Sequence, residues 1–300
     1  MAECEQITKV AKGTRMLAPG KINLSLLVAG KRSDGFHEIE TIMAKVTLFD
    51  ELFIEPGQKA GIELVCSGPR WAPVGEENLV YKAAKLFLET CGQAADLRIT
   101  LTKKIPAGAG LGGSSSDAAA TLIGLNELLG FGLDRDTMAS LATELGSDVA
   151  FFLGGPLALC TGRGEKIRQI RADFDFRAIL LLPEISCSTA RVYANYQHDE
   201  RRFHSLKAQI DEAIAKNRID LATKVCANML ERTSFGLHRK LAGLKAQVER
   251  LGIKPWCLSG SGAAMYHIIK TAEGGRVDGY LDLIKRQTNC DVIIIANNRW

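Results

Sequence analysis

No stretch of the 300-residue sequence approaches the roughly 18 consecutive apolar residues that mark a membrane-spanning helix. The opening "MAECEQITKVAKGTR" lacks the apolar centre of a signal peptide. No two of the eight cysteines (positions 4, 66, 91, 160, 187, 226, 257 and 290) form a CxxC pair, which speaks against a zinc cluster or a disulfide framework and for a reducing compartment. There is no Lys/Arg run and no interleaving of basic with aromatic residues, and a net charge of +4 is too mild to suggest nucleic acid. Repeats, low-complexity tracts and Pro-rich linkers are missing as well. What these gaps leave is a cytoplasmic protein with neither a membrane nor a nucleic acid as partner, and a frayed tail over residues 1–14.

What is present is ordinary globular material, 46% hydrophobic and 24% charged, and long enough for one large or two modest domains. Ile22, Leu24, Leu26 and Val28 alternate along a predicted strand, which throws Lys21, Asn23 and Ser25 onto its opposite face. "KRSDGFHE" reads as a turn and residues 39–54 as further strand. "ENLVYKAAKLFLETCG" has helical spacing, with Leu79, Ala83, Leu86 and Phe87 on one stripe. "LRITLTKKI" alternates as a half-buried strand ending at Pro106, and a helix is expected from about Ser114 to Leu129. "DTMASLATELG" reads as another helix, followed directly by "SDVAFFLGG". Past residue 170, "RAILLLPE" reads as a buried strand, "STARVYANY" as a helix capped by Ser188, residues 203–251 as several helices, "WCLSGSGAAMYHII" as two strands about a glycine-rich turn, and "CDVIIIANN" as a closing strand. Strands and helices mix without strict βαβ alternation, which favours α+β. The boundary between residues 15–168 and 169–300 is soft.

Residues 106–120, "PAGAGLGGSSSDAAA", pose the sharpest question. Gly108, Gly110 and Gly113 satisfy GxGxxG, yet the next segment is "GFGLDRD" rather than a buried strand ending in an acid, so the dinucleotide reading fails. No Gly-Lys-Ser/Thr follows, so the nucleotide-binding loop of the P-loop type fails too. What stands is the physics shared by both: a backbone free to curl its N–H groups inward, and a helix N-terminus behind it. The plain alternative is a flexible turn with a serine cap, which needs far fewer glycines and only one serine.

"PAGAGLGGSSSDAA" resembles the phosphate-binding motif of the GHMP kinases, named for galactokinase, homoserine, mevalonate and phosphomevalonate kinases. "APGKINLSLLVAGKRSDGFHEIET", "GSDVAFFLGG" and "LSGSGAAMY" extend the resemblance from about Leu17 to Ile269. They point to the branch that phosphorylates the 2-hydroxyl of a cytidine-diphosphate-linked methylerythritol. The resemblance implies a two-domain α+β fold with a ferredoxin-like C-terminal domain, ATP and Mg²⁺ as cofactors, and a small-molecule substrate in the cleft between the domains. It implies Lys21 and Asp148 as the catalytic pair. Pro106, Gly108, Gly110, Leu111, Gly112, Gly113, Ser114, Ser115 and Ser116 would bind ATP, with Asn78 and Lys103 near its site; the metal ligand is left open, Ser115 and Ser116 being the side chains at hand. Asn23, Phe36, His37, Thr189, Tyr193, Gly260, Ser261 and Gly262 would bind substrate, the aromatics stacking cytosine and His37 reading its edge.

Each residue has a plainer reading. Asp148 is a helix N-terminal acid, Lys21 a solvated strand lysine, Lys103 an exposed strand residue, Phe36 and Tyr193 core aromatics, and Gly260–Gly262 a hairpin turn. Two departures from the family pattern stand out: Gly112-Gly113-Ser114 where many members carry three glycines, and "NMLE" at 228–231 where Asp is common, in a stretch expected to be structural. The rival functions are a GHMP kinase for another alcohol and a non-catalytic sensor that binds nucleotide without turnover.

Overall fold

The computed structural model describes residues 5–172, 174–270 and 275–300. Strands β1 (Ile7–Val10), β2 (Gly13–Lys31), β3 (His37–Pro56) and β4 (Ile62–Ser67) come first, then helix α1 (Leu79–Thr90) and strand β5 (Leu97–Thr102). Helices α2 (Gly113–Leu129), α3 (Arg135–Leu145) and α4 (Val149–Leu153) follow, then strands β6 (Leu157–Gly162), β7 (Lys166–Gln169) and β8 (Arg177–Leu182). Helices α5 (Thr189–Ala194), α6 (Glu200–Ala215), α7 (Ile219–Val225), α8 (Glu231–Leu237) and α9 (Arg239–Arg250) lead to β9 (Cys257–Leu258), β10 (Met265–Ile268), α10 (Val277–Thr288) and β11 (Asp291–Ala296). The α+β expectation holds. Residues 7–10, inside the stretch expected to fray, pair antiparallel with β2; residues 1–4 lie outside the described chain.

Seven strands form the first sheet and four the second, in the order β11-β8-β10-β9. The long strand β3 divides the first sheet: β2 runs along one edge, while β6 pairs with residues 39–44 and β5 with residues 51–56 on the other. Register shifts at Pro19/Gly20 and Asn23/Ser25 bracket Lys21 in the middle of β2. Bulges of this kind re-aim side chains, and one precedes the polar run of the strand while the other falls within it. That run is not solvated as its alternation suggests, because Lys21, Asn23 and Ser25 are as buried as Ile22 and Leu24.

Helices α1 to α4 cover one face of the first sheet, with Val80, Phe87, Leu122 and Phe151 packed against Met16, Met43, Ile54 and Ile99. A second core joins the two sheets: Ile22 and Leu24 of β2 share it with Leu180 of β8 and Tyr266 of β10. β8 is apolar from Ala178 to Leu182 because its other face, Ile179 and Leu181, packs on Leu241 and Val248 of α9 and Ile284 of α10. One expectation needs correcting. Cys226 at the end of α7 and Cys257 in β9 form a disulfide, 31 residues apart in sequence. Only the packing of the C-terminal layer brings them together, so no spacing rule reveals the pair.

Candidate active site

The first signal in the sequence was the glycine run, and its backbone shows what it is for. Gly108, Gly110 and Gly112 all take positive φ, a region that residues with a Cβ rarely enter. The carbonyls turn back into the protein: Gly108 O accepts from Cys187 N, Ala109 O from Ala264 N, and Leu111 O from Lys21 N. Gly110 O accepts from both Lys21 Nζ (2.8 Å) and Ser259 Oγ (2.9 Å). With the carbonyls so engaged, no N–H from Gly108 to Ser115 donates to a protein acceptor among the described residues. The result is a row of open amides leading into the first turn of α2, whose cap, Gly112, has no side chain. The serine-capped turn is thereby excluded. At Gly110 a Cβ would stand 2.1 Å from Ser259 O, so glycine is required for this loop to meet the 259–262 loop.

Lys21 and Asp148 face each other beside this row, Nζ to Oδ2 4.0 Å. Lys21 is buried, and its Nζ also donates to Asn23 Oδ1 at 2.6 Å. Asn23 is oriented in turn by Thr41, which accepts from its Nδ2 at 2.8 Å and donates to Ser25 O. Burial pulls the Lys21 ammonium below its usual range, and the facing Asp148 carboxylate offsets part of that effect. Asp148 occupies the N-cap position of α4, yet its carboxylate makes no capping bond. Its side chain is 36% exposed and lines the cavity. Lys45 steadies α4 from the far end, its buried Nζ donating to Phe152 O and Gly154 O.

The cavity holds about 930 Å³ and draws its walls from both halves of the chain. Phe36, His37, Thr189, Tyr193, Gly260 and Ser261 all line it. His37 and Tyr193 lie with ring centroids 5.8 Å apart, and Tyr196 meets His37 edge-on at 5.4 Å. His37 Nδ1 is 3.2 Å from Ala29 O. A carbonyl only accepts, so Nδ1 is the donor here, and in the neutral ring Nε2 is left as an acceptor. Burial raises the Tyr193 phenol, so it stays neutral. Thr189 Oγ1 and Ser261 Oγ share a hydrogen bond of 2.9 Å across the cavity wall. The 258–261 segment is pinned from behind by Asn228, which donates to Leu258 O and Gly260 O, and by Ser234, which donates to Ser261 O.

Four anticipated residues stand outside the cavity wall. Asn78 caps α1, accepting from Val80 N and donating to Pro73 O. Lys103 is buried rather than exposed, paired with Asp50 and, at 2.7 Å, with Asp117. Asp50 also accepts from Lys104 N and Ile105 N, so this trio anchors the chain on both sides of the glycine loop. Ser116 is turned inward and buried, its hydroxyl without a partner among the described residues, leaving Ser114 and Ser115 at the wall. Gly262 also lies just outside the wall, its built Cβ approaching Leu258 and Ser234. Met229 of "NMLE" is a core residue, its Sδ 3.5 Å from Val28 N. Arg163, Tyr196, His198, Lys31 and Ser147 also line the cavity, beyond the residues that the family resemblance implies. The three aromatic or basic residues at 193, 196 and 198 were the available signal for two of them.

Fold and site together define a small-molecule kinase of the GHMP class: residues 78–156 match the GHMP kinases N terminal domain. The chain is 41% identical over 252 residues, 84% of its length and 86% of the other's, to the 4-diphosphocytidyl-2-C-methyl-D-erythritol kinase of Bacillus cereus (strain B4264). A solved 4-(cytidine 5'-diphospho)-2C-methyl-D-erythritol kinase superimposes with a TM-score of 0.75 at 32% identity, over 95% of this chain and 100% of that one. A homoserine kinase from Cytophaga hutchinsonii also gives a TM-score of 0.75, over 97% and 96% of the two chains, but at 18% identity this is a likeness of fold alone. The chain belongs to the 4-diphosphocytidyl-2-C-methyl-D-erythritol kinase family.

Proposed function

We propose that this protein is an ATP-dependent kinase of the cytoplasm. It phosphorylates the 2-hydroxyl of 4-diphosphocytidyl-2-C-methyl-D-erythritol, giving the 2-phosphate and ADP, in the non-mevalonate route to isoprenoid precursors. The observation that carries the reading is a carboxylate at a helix cap that caps nothing, facing a buried lysine beside a row of open backbone amides. Phosphoryl transfer needs a held donor, spread charge and an oriented acceptor hydroxyl, and these are the parts present. The amides from Gly108 to Ser115 and the N-terminus of α2 take the ATP phosphates. Asp148 receives the proton of the hydroxyl, and because an ordinary carboxylate is a weak base toward an alcohol, the proton leaves late in the transfer. Lys21 holds that carboxylate and the hydroxyl in place, and Asn23 holds Lys21.

Substrate choice rests on the far end of the cavity. Phe36 and Tyr193 offer faces on which any base could stack, so His37 does the reading: its acceptor Nε2 suits the exocyclic amino group of cytosine. Thr189, Gly260 and Ser261 donate to substrate phosphates, while Gly262, whose N–H is held by Ser259 O, shapes the turn. The donor set also fits a magnesium ion carried in on ATP. Ser115 offers it one hydroxyl, and among the described residues no three His, Cys, Asp or Glu converge into a cage. Bound there, the ion would neutralise charge on the phosphates. Residues 15–168 thus serve ATP and catalysis, and residues 169–300 close the site on the substrate.

The test is ADP release from Mg-ATP with the cytidyl substrate, mevalonate, homoserine and galactose in parallel. Turnover is expected with the cytidyl compound alone. Asp148→Asn should lower kcat by roughly 10²–10⁴-fold while both KM values stay within about threefold. Tight ATP binding with no turnover on any alcohol would establish the sensor instead. Turnover with another alcohol would make Phe36 and Tyr193 packing residues.

A further inference from the structure

Arg163 is a cation in the cavity wall with no acid of its own. It sits in the turn between β6 and β7, and its guanidinium carbon lies 4.2 Å from the centre of the Phe36 ring. Its side chain makes no hydrogen bond or ion pair among the described residues, and its Nε is buried without a partner. The acids around it are engaged elsewhere. Asp34, which feels the Arg163 charge through space, is bound by Arg32 and by Phe36 N, while Glu38 is bound by Arg32 and Gly162 N. Glu165 accepts from the backbone N–H of Arg163, not from its guanidinium. Leaving an arginine half-buried and unanswered is costly unless a ligand completes it.

The turn is built to present this side chain. Gly162 has a φ of 75°, and a Cβ there would meet the Glu165 carboxylate at 2.5 Å. On the other side of Arg163, Gly164 lies against Asp148, its built Cβ 3.6 Å from Oδ1. Arg163 therefore stands between the ring proposed to stack cytosine and the carboxylate proposed to receive the hydroxyl proton. In a substrate whose base and reacting alcohol are joined by a diphosphate, the group that spans this interval is the diphosphate.

We propose that Arg163 is a substrate-binding residue that takes the acceptor's diphosphate, the Phe36 ring holding its guanidinium flat for that contact. The inference rests on the function proposed above. A planar guanidinium suits phosphate oxygens in pairs, and such charge-assisted bonds are the strong ones.

Calorimetric titration of cytidine and CDP into wild type, Arg163→Gln and Arg163→Lys tests it, with a non-hydrolysable ATP analogue filling the donor site. Wild type should bind CDP more tightly than cytidine. Arg163→Gln should weaken CDP by about ten- to a hundredfold and cytidine by less than about threefold, with Arg163→Lys between wild type and Arg163→Gln. In turnover, KM for the cytidyl substrate should rise while KM for ATP holds. Equal weakening of CDP and cytidine would overturn the proposal and make Arg163 a prop for Phe36. So would unchanged CDP binding, or a rise confined to KM for ATP. Wild type that binds neither cytidine nor CDP would remove the functional reading itself, and the inference with it.

Discussion

Lys21 is fixed before any ligand arrives, by Asn23 Oδ1, by Gly110 O and by the charge of Asp148. Its burial has a consequence in pH. The protonated amine is the form that pairs with Asp148, and desolvation moves its titration below the ordinary lysine value of 10.5. Activity that needs the ammonium is therefore present at low pH and lost as pH rises through the lowered pKa. With both substrates well below KM, the alkaline limb of the rate profile should fall at a pH under 10.5. A limb at or above that value would show that Lys21 is not the titrating group. This residue, Asn23 and Asp148 were legible because their motifs fix both identity and neighbourhood along the chain. Arg163 was not: its partner ring is more than a hundred residues away, and only the pairing of β3 with β6 brings the two together. Asn78, Lys103 and Ser116 sit near the right segment, but which way a side chain points is decided by what packs behind it. Asp117 and Asp50 turn Lys103 inward, and helix phase turns Ser116 away from Ser114 and Ser115.

At the level of elements, the short helix α4 carries Asp148 at one end and depends on Lys45 at the other. Five residues make too little helix to stand alone, and the Lys45 amine satisfies two carbonyls that its last turn would leave open. Burial pushes Lys45 down to about 8. The folded state therefore binds fewer protons than the unfolded chain between that value and the ordinary 10.5. Stability from this group rises with pH across that window, by up to ~1.4 kcal/mol per pH unit. Below the window the cost of a buried ammonium is carried in full. Lys45→Met lacks the effect, so wild type should gain on the variant as pH climbs from 8 toward 10.5, measured by urea midpoints at several pH values. A constant difference across that range would mean the amine titrates normally. α1, α3 and α5 could be read in advance because each opens on a capping side chain, Asn78, Asp134 and Ser188, that accepts a backbone N–H. α10 opens on Arg276 with no such bond, so only its stripe at Val277, Tyr280, Leu281 and Ile284 marks it in the sequence. β4, between Gly61 and Gly68, and β6 and β7, which meet at the Gly162–Glu165 turn, are short, so their pattern is hard to separate from loop.

For the whole molecule, the soft boundary near residue 168 has a structural cause: the core does not stop there. Ile22 and Leu24 before it are packed in one cluster with Leu180 and Tyr266 after it, and the cavity takes walls from both halves. Mixed strands and helices revealed the fold class, but no sequence pattern shows which strand faces pack across a boundary. A shared core couples the halves, so they should unfold together. Trp256 is buried in the C-terminal layer, whereas Trp71 is 72% exposed. In a Trp71→Phe, Trp300→Phe background, fluorescence therefore reports the C-terminal layer, while far-UV circular dichroism reports the whole chain. The two urea transitions should coincide. Leu24→Ala, in the first sheet, opens a hole in the shared cluster worth about 2–5 kcal/mol. It should shift the Trp256 transition as far as the dichroism one, because stability lost at a shared interface is lost to both partners. A Trp256 midpoint that ignored Leu24→Ala would mean that each half is held by its own core, with the cavity a seam between independent bodies rather than a cleft in one.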